Sequence, residues 1–327
     1  MELIKWLGRF KITRQLTVQR GEACMSNETV YVHPGSVSFL GWFVKFFLWL
    51  SGDKPKLTKE LHNPPGEPGA PIPERFADEF NISVTQVQGR NVHTLAPKGA
   101  TSGQAVFYIH GGAYILNITS AHWNLIGDLI RQTKATFVVP DYPKAPGATA
   151  PAGLAMVEEA YQDLLATVPA EKITVMGDSS GGGLSLALAQ KLHADGGAQP
   201  RQLVLLSPFL DGSMSNTGYG PIEGKDPSLS LEIGQMAGKL WAGDLDTKDP
   251  RVSPIYGSLD GLGRVSVFAG GCEIFVADCR KFKELMAQHG TPVNYYEYPT
   301  MFHVWMAATF LPEAKAAITQ IAALVND

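Results

Sequence analysis

Residues 177–181 read Gly-Asp-Ser-Ser-Gly. They stand between a short, largely apolar run, Ile173–Met176, and an Ala/Leu-rich stretch with helical spacing, Ser180–Ala194. A serine on a sharp strand-to-helix turn lifts its hydroxyl above the sheet, and flanking glycines are required because the turn leaves no room for Cβ atoms. The helix that follows presents free N–H groups and a positive dipole end to developing negative charge. Ser179 has the chemistry of a nucleophile toward a carbonyl carbon. Ser180 does not, because position 178 is Asp where centring on Ser180 would need glycine. A phosphate-binding turn is the competing reading; it would need the lysine of a P-loop or dinucleotide-fingerprint spacing, and neither is present.

A second glycine turn lies upstream. Phe107-Tyr108-Ile109-His110-Gly111-Gly112-Ala113-Tyr114 carries a Gly-Gly pair directly after a buried run. Such turns aim consecutive backbone N–H groups at one point, where an oxyanion can be held. Gly111, Gly112 and Ala113, with the N–H of Ser180, are the candidates. His110 reads as a residue that holds this loop. For the base, His303 is the only histidine after the last predicted strand, in the loop Pro299-Thr300-Met301-Phe302-His303 ahead of the closing helix.

These residues need a scaffold. Ile82–Gln88 and Val92–Ala96 read as a hairpin turning at Gly89-Arg90. Strands at Ala105–Ile109, Thr136–Pro140, Ile173–Met176, Leu203–Ser207, Val265–Ala269 and Asn294–Tyr298 then alternate with helices at Ala121–Thr133, Pro151–Thr167, Ser180–Ala194, Asp278–His289 and Glu313–Val325. Short apolar strands separated by helices predict an α/β fold with a mostly parallel sheet covered on both faces. Ligands bind such sheets at the carboxyl ends of the strands, and the glycine turns lie there. Residues 209–255 break the rhythm and read as an insertion with one helix near Leu229–Trp241.

In this setting the His-Gly-Gly turn, Asp141-Tyr142 with Pro146 downstream, Gly-Asp-Ser-x-Gly-Gly, Ser207-Pro208-Phe209-Leu210-Asp211 and Phe302-His303 resemble the hormone-sensitive-lipase-like branch of the α/β-hydrolases, the bacterial family IV esterases. The resemblance covers roughly residues 75–327. It implies a serine carboxylesterase working through an acyl-enzyme on short- to medium-chain esters, with no metal or organic cofactor, and homodimers in many members. It also implies an acid just after the strand Val265–Ala269, about 30 residues before the histidine. Glu273 fits that spacing; Asp278 is the alternative, although it falls where the next helix should begin and reads as its N-cap. The chain departs from the pattern at Ala113, where a third glycine is usual, and at Gly147, where an acidic residue is usual. An amide or lactone hydrolase on the same machinery remains open. So does a non-catalytic small-molecule receptor, although such proteins typically lack a triad member.

The N-terminal part matches only in role, as helical cap and linker over residues 1–74 ahead of a catalytic domain at 75–327. The run 37–50 is strongly aromatic, too short to span a bilayer, and reads as a cap helix or as a membrane-surface helix, the latter with a lipase function. Phe39, Trp42, Phe43 and Phe46, with Tyr114 and Tyr219, are candidates to line an acyl or alcohol pocket. The Pro/Gly-rich stretch 51–75 reads as linker. Residues 1–14 lack the apolar core of a signal peptide, and Met25 offers a second start. A net charge of −4 with no long basic run speaks against nucleic acid. The three cysteines, Cys24, Cys272 and Cys279, form no disulfide framework or metal spacing. The balance is that of a cytoplasmic protein acting on a small-molecule ester.

Overall fold

The computed structural model describes residues 29–64, 66 and 68–327; Cys24, Met25 and the 1–14 stretch lie outside the described residues. In chain order the elements are β1 (Val30–Val32), α1 (Phe39–Ser51), α2 (Asp53–His62), α3 (Phe76–Glu79), β2 (Phe80–Val87), β3 (Arg90–Pro97) and β4 (Ala105–Ile109). Then come α4 (Ser120–Thr133), β5 (Thr136–Pro140), α5 (Ala150–Leu165), β6 (Ile173–Asp178), α6 (Ser180–Ala194) and β7 (Gln202–Leu206). The chain closes with α7 (Gly220–Glu223), α8 (Leu231–Ala242), β8 (Arg264–Gly270), α9 (Val276–Gln288), β9 (Asn294–Tyr298) and α10 (Pro312–Asn326).

The described strands form one nine-stranded sheet, ordered β1-β9-β8-β7-β6-β4-β5-β3-β2. From β1 to β5 all pairings are parallel; β3 is antiparallel to both β5 and β2. Side chains alternate across it as strand geometry dictates. In β4, Ala105, Phe107 and Ile109 enter the core under α5, α6 and α9, whereas Val106 and Tyr108 enter the core under α4 and α10. Both faces are covered, so the central strands are apolar throughout.

The predicted α/β architecture is present, with local corrections. The hairpin turn is Gln88-Gly89, not Gly89-Arg90: both residues have positive φ (49° and 73°), and Val87 pairs with Arg90. That is the two-residue turn whose twist matches the flanking strands. The stretch read as linker begins with helix α2; Pro55 sits in its first turn, where the missing N–H costs no hydrogen bond. Asp278 lies inside α9, which starts two residues earlier. Strand β1 is an addition, three residues pairing parallel with Tyr295–Glu297.

Candidate active site

β6 delivers its chain into α6 through Ser179, whose backbone sits at φ 51°, ψ −122°. An L-residue holds that conformation at a cost of about 1–3 kcal/mol, and its surroundings enforce it. A Cβ on Gly181 would fall 2.0 Å from the carbonyl oxygen of Ile109, and one on Gly177 would fall 2.4 Å from that of Gly181. Only glycine at both positions lets β4, β6 and α6 close this tightly around the serine.

Two loops from other strands meet the hydroxyl. His303, in the loop after β9, places Nε2 2.9 Å from Ser179 Oγ and Nδ1 2.5 Å from Glu273 Oε2. Glu273 follows β8 and is fully buried; its second oxygen accepts from the Gly270 N–H at 2.7 Å. With the carboxylate accepting, Nδ1 carries the proton and Nε2 is free to accept from the serine. Burial pushes the imidazole pKa down, but Glu273, with smaller contributions from Asp226 and Asp178, outweighs it and holds His303 above its ordinary value. Burial raises the Glu273 carboxyl, against the opposing pull of the His303 contact. Asp278 makes no contact with His303. It accepts from Tyr219 Oη at 2.6 Å and Asn216 Nδ2 at 2.9 Å, and burial lifts it to about 7.

The glycine turn after β4 lies beside the serine. The Gly111 N–H is already committed to Asp178 Oδ1 at 3.0 Å, and the Tyr114 N–H donates to Ser180 Oγ at 3.2 Å. Gly111 therefore drops out of the expected donors, leaving Gly112, Ala113 and Ser180. Gly112 and Ala113 have φ of 128° and 55°. A Cβ at Gly112 would strike Leu116 O at 2.7 Å, while the third position tolerates a methyl in the left-handed region. His110 is buried and neutral, its pKa driven well down by burial and by Lys144 and His122; its Nδ1 binds the Gly111 carbonyl at 2.7 Å. It holds the loop, as its position suggested.

Four residues of this network, Asp178, His122, Asp226 and Ser207, carry roles that the sequence did not reveal. Buried Asp178 accepts from Tyr108 Oη, Gly111 N and His122 Nε2. Burial raises its carboxyl, but His122 and Tyr108 outweigh that and hold it below its usual range. His122 has its other nitrogen occupied by the Thr119 N–H at the start of α4, so α4, β4 and the serine turn are tied together. Asp226, buried in the insertion, accepts from Ser228 and Leu229 N–H through one oxygen and from Ile274 N–H through the other. It pins the residue next to Glu273. Ser207 Oγ accepts from the Val304 N–H at 3.1 Å, fixing the loop just beyond His303. Thr119 with His122 three residues later has capping-box spacing, which was the one available signal; Asp226 and Ser207 look like ordinary turn residues in sequence.

Above Ser179 and His303 opens a cavity of about 280 Å³. Gly112, Ala113, Leu116, Phe209 and Phe275 wall it, and Leu57 of α2 with Leu229, Ile233 and Ala237 at and within α8 contribute apolar surface. None of Phe39, Trp42, Phe43, Phe46, Tyr114 or Tyr219 lines it. The aromatics of α1 are solvent-exposed, Tyr114 is stacked on Trp241 at 4.4 Å, and buried Tyr219 serves Asp278. A larger cavity, about 460 Å³, lies at the opposite ends of the strands around Thr85, Ala105 and Thr136 and contains no nucleophile–base pair. Among the described residues no cluster of His, Cys, Asp and Glu could hold a metal.

Residues 106–307 match the family model described as the α/β-hydrolase fold. The chain belongs to that family. An esterase of Acinetobacter venetianus is 34% identical over 226 residues, covering 68% of this chain and 75% of its own. An acetyl-hydrolase of Streptomyces hygroscopicus is 32% identical, covering 66% and 73%. Among solved structures, an esterase from the bacterial hormone-sensitive lipase family superposes with a TM-score of 0.75 at 26% identity, covering 89% of this chain and 99% of that one. The hydrolase is thus of the hormone-sensitive-lipase-like kind, a carboxylic ester hydrolase.

Proposed function

We propose that the hydrolase is a serine carboxylesterase for short- to medium-chain esters, with Ser179 as nucleophile, His303 as general base and Glu273 as the acid that orients it. The observation that carries this reading is the unbroken hydrogen-bond chain from Ser179 Oγ through His303 to buried Glu273 at the edge of the cavity. Ser179 attacks the ester carbonyl as His303 Nε2 takes its proton; Glu273 stabilises the imidazolium and keeps the proton on Nδ1. The N–H groups of Gly112, Ala113 and Ser180 receive the oxyanion, each such donor contributing about 3–4 kcal/mol in the transition state. His303 then protonates the leaving alcohol, and water repeats the sequence to release the acid.

The cavity volume, about 280 Å³, lies just below the roughly 300–1,000 Å³ usual for ligand sites. Its lining is apolar, which suits a short acyl chain. α2 and the 209–255 insertion act as the cap over the 75–327 catalytic domain: Lys54 Nζ binds the Glu223 carbonyl, and α2 packs on α8. The acetyl-hydrolase named above and the relative EstE5, soaked with p-nitrophenyl butyrate (TM-score 0.71, 27% identity, 84% and 98% covered), are consistent with small acyl groups. The test is hydrolysis of a p-nitrophenyl ester series from acetate to palmitate by the intact protein and by Ser179→Ala. Turnover falling with chain length and abolished in the variant is expected. Retained turnover in Ser179→Ala would overturn the assignment, and a preference for palmitate would overturn the pocket reading.

A further inference from the structure

Helix α1 turns its apolar side outward. Gly41 is buried, Val44 and Leu48 are half-buried against the core under α4 and α10, and Lys45 is half-buried. The opposite side carries Phe39, Trp42, Phe43, Phe46, Phe47 and Trp49, exposed by 45–80% of their surface. At 100° per residue these six, with Leu40 and Leu50, fill about half the circumference of the helix without one polar side chain. A surface helix normally points its apolar stripe inward, and a continuous exposed apolar patch marks an interaction surface.

We propose that α1 docks on an anionic lipid surface and lies in the plane of the headgroups. Thirteen residues extend about 20 Å as helix, too short to cross a bilayer but suited to lying in its interface. Trp42 and Trp49 are the residue type that anchors at that boundary. Charge selects the occupant. Among the described residues, 29–62 hold four Lys/Arg (Lys45, Lys54, Lys56 and Lys59) against two Asp/Glu (Asp53 and Glu60), whereas 68–327 hold eighteen against twenty-five. An anionic surface therefore attracts the end that bears α1 and repels the rest, which orients the molecule. A second copy docked by two-fold symmetry would set one positive end against another.

The placement also joins the surface to the site. Lys45 reaches Cys272 Sγ at 3.5 Å, beside Glu273. The chain turns at Gly52, φ 70°, into α2, whose Leu57 lines the cavity. Docked this way, the cavity is supplied with esters dissolved in the lipid phase. Only this last step rests on the esterase reading.

The experiment is flotation of the full chain with vesicles of phosphatidylcholine alone and of phosphatidylcholine mixed with phosphatidylglycerol, at low and high salt. It is repeated with the triple variant Phe39→Ser/Trp42→Ser/Phe46→Ser and with Trp49→Ser alone. The wild type is expected to float with the mixed vesicles at low salt and to release at high salt. Partitioning should fall on the order of tenfold or more in the triple variant, with hydrolysis of a water-soluble acetate ester unchanged. The single variant keeps the test decisive should the triple variant misfold. No wild-type flotation with either vesicle, or equal flotation of the variants, would overturn the proposal. So would concentration-dependent self-association that the variants abolish in the absence of vesicle binding, which would assign the face to a second copy. Flotation requires no turnover, so its failure would leave the esterase reading intact, and loss of catalysis in Ser179→Ala would leave docking intact.

Discussion

Replacing Glu273 by Gln poses a problem that the site has no way to solve. One carboxylate oxygen accepts from the Gly270 N–H at 2.7 Å and the other from His303 Nδ1 at 2.5 Å. An amide offers one oxygen. If that oxygen keeps Gly270, the NH₂ faces His303 Nδ1 and forces the ring proton onto Nε2, the atom that must accept from Ser179. If the oxygen keeps His303, the NH₂ opposes the Gly270 N–H and leaves a buried donor unsatisfied, at about 1–3 kcal/mol. Either orientation also removes the charge that stabilises the imidazolium, worth roughly 1.5–3 kcal/mol for a charged hydrogen bond. The sum is about 3–6 kcal/mol in the barrier, or roughly 10²–10⁴ in rate.

The assay is the acylation burst on p-nitrophenyl butyrate, followed across pH beside Glu273→Asp and Asp278→Asn. Glu273→Asp keeps two acceptors and the charge, so it should retain more activity than Glu273→Gln. Asp278 touches Tyr219 and Asn216 rather than His303, so Asp278→Asn should act mainly on stability. The residual activity of Glu273→Gln should also have its acid limb at lower pH, because burial then acts on His303 without the opposing carboxylate. The reasoning fails if Glu273→Gln stays within about tenfold of wild type, or if Asp278→Asn is the more damaging change.

In the wild type, His303 works only as the neutral base, and its pKa is raised above 6.5; kcat/KM should therefore fall with decreasing pH around a midpoint above 6.5, and a midpoint at or below that value would contradict the Glu273 contact. Asp226→Asn must set an NH₂ against either the Ser228 and Leu229 N–H groups or that of Ile274, costing about 1–3 kcal/mol of stability in a denaturant titration. It should also shift the acid limb slightly downward, since Asp226 helps hold His303 up; unchanged stability and profile would remove Asp226 from the network. Ala113→Gly relieves an alanine at φ 55°, a left-handed strain of about 1–2 kcal/mol, against an unfolded-state entropy cost of about 0.4–1 kcal/mol, so it should raise stability by up to about 1 kcal/mol with activity retained, readable as a higher Tm; a loss of stability would show that the methyl contributes packing.

The sheet was legible because its signals are local. β4, β5 and β9 were each bounded to the residue, since an apolar or aromatic run flanked by polar turns leaves little choice of limits, and Gly177 and Gly181 mark a turn that no other residue fits. Strand β1 was not legible: three residues carry no periodicity, and the partner that makes them a strand lies at Tyr295–Glu297. Asp226 and Ser207 escaped for the same reason, because each acts on a loop distant in sequence.

The pocket shows most clearly what a residue's type leaves open. An aromatic helix near an expected cap and a predicted apolar cavity invite the inference that one lines the other. Which side of a helix faces inward is set by contacts, and in α1 the contact side is Gly41, Val44 and Leu48, chosen because small and slender side chains let the helix approach the core. Ser38 fixes that approach: its N–H and hydroxyl both donate to Glu313 at the start of α10, at 2.6 and 3.0 Å. With that end anchored, rotating the aromatics inward would drive Trp42 and Phe46 into space that Gly41 was needed to vacate. The cavity is instead lined by Leu57, one helix further along, an aliphatic residue whose role depends on the turn at Gly52. Residue type separated the chemistry-bearing serine and histidine from the background because few positions can do their work; many apolar residues can line a cavity, so only the packing distinguishes Leu57 from Trp42.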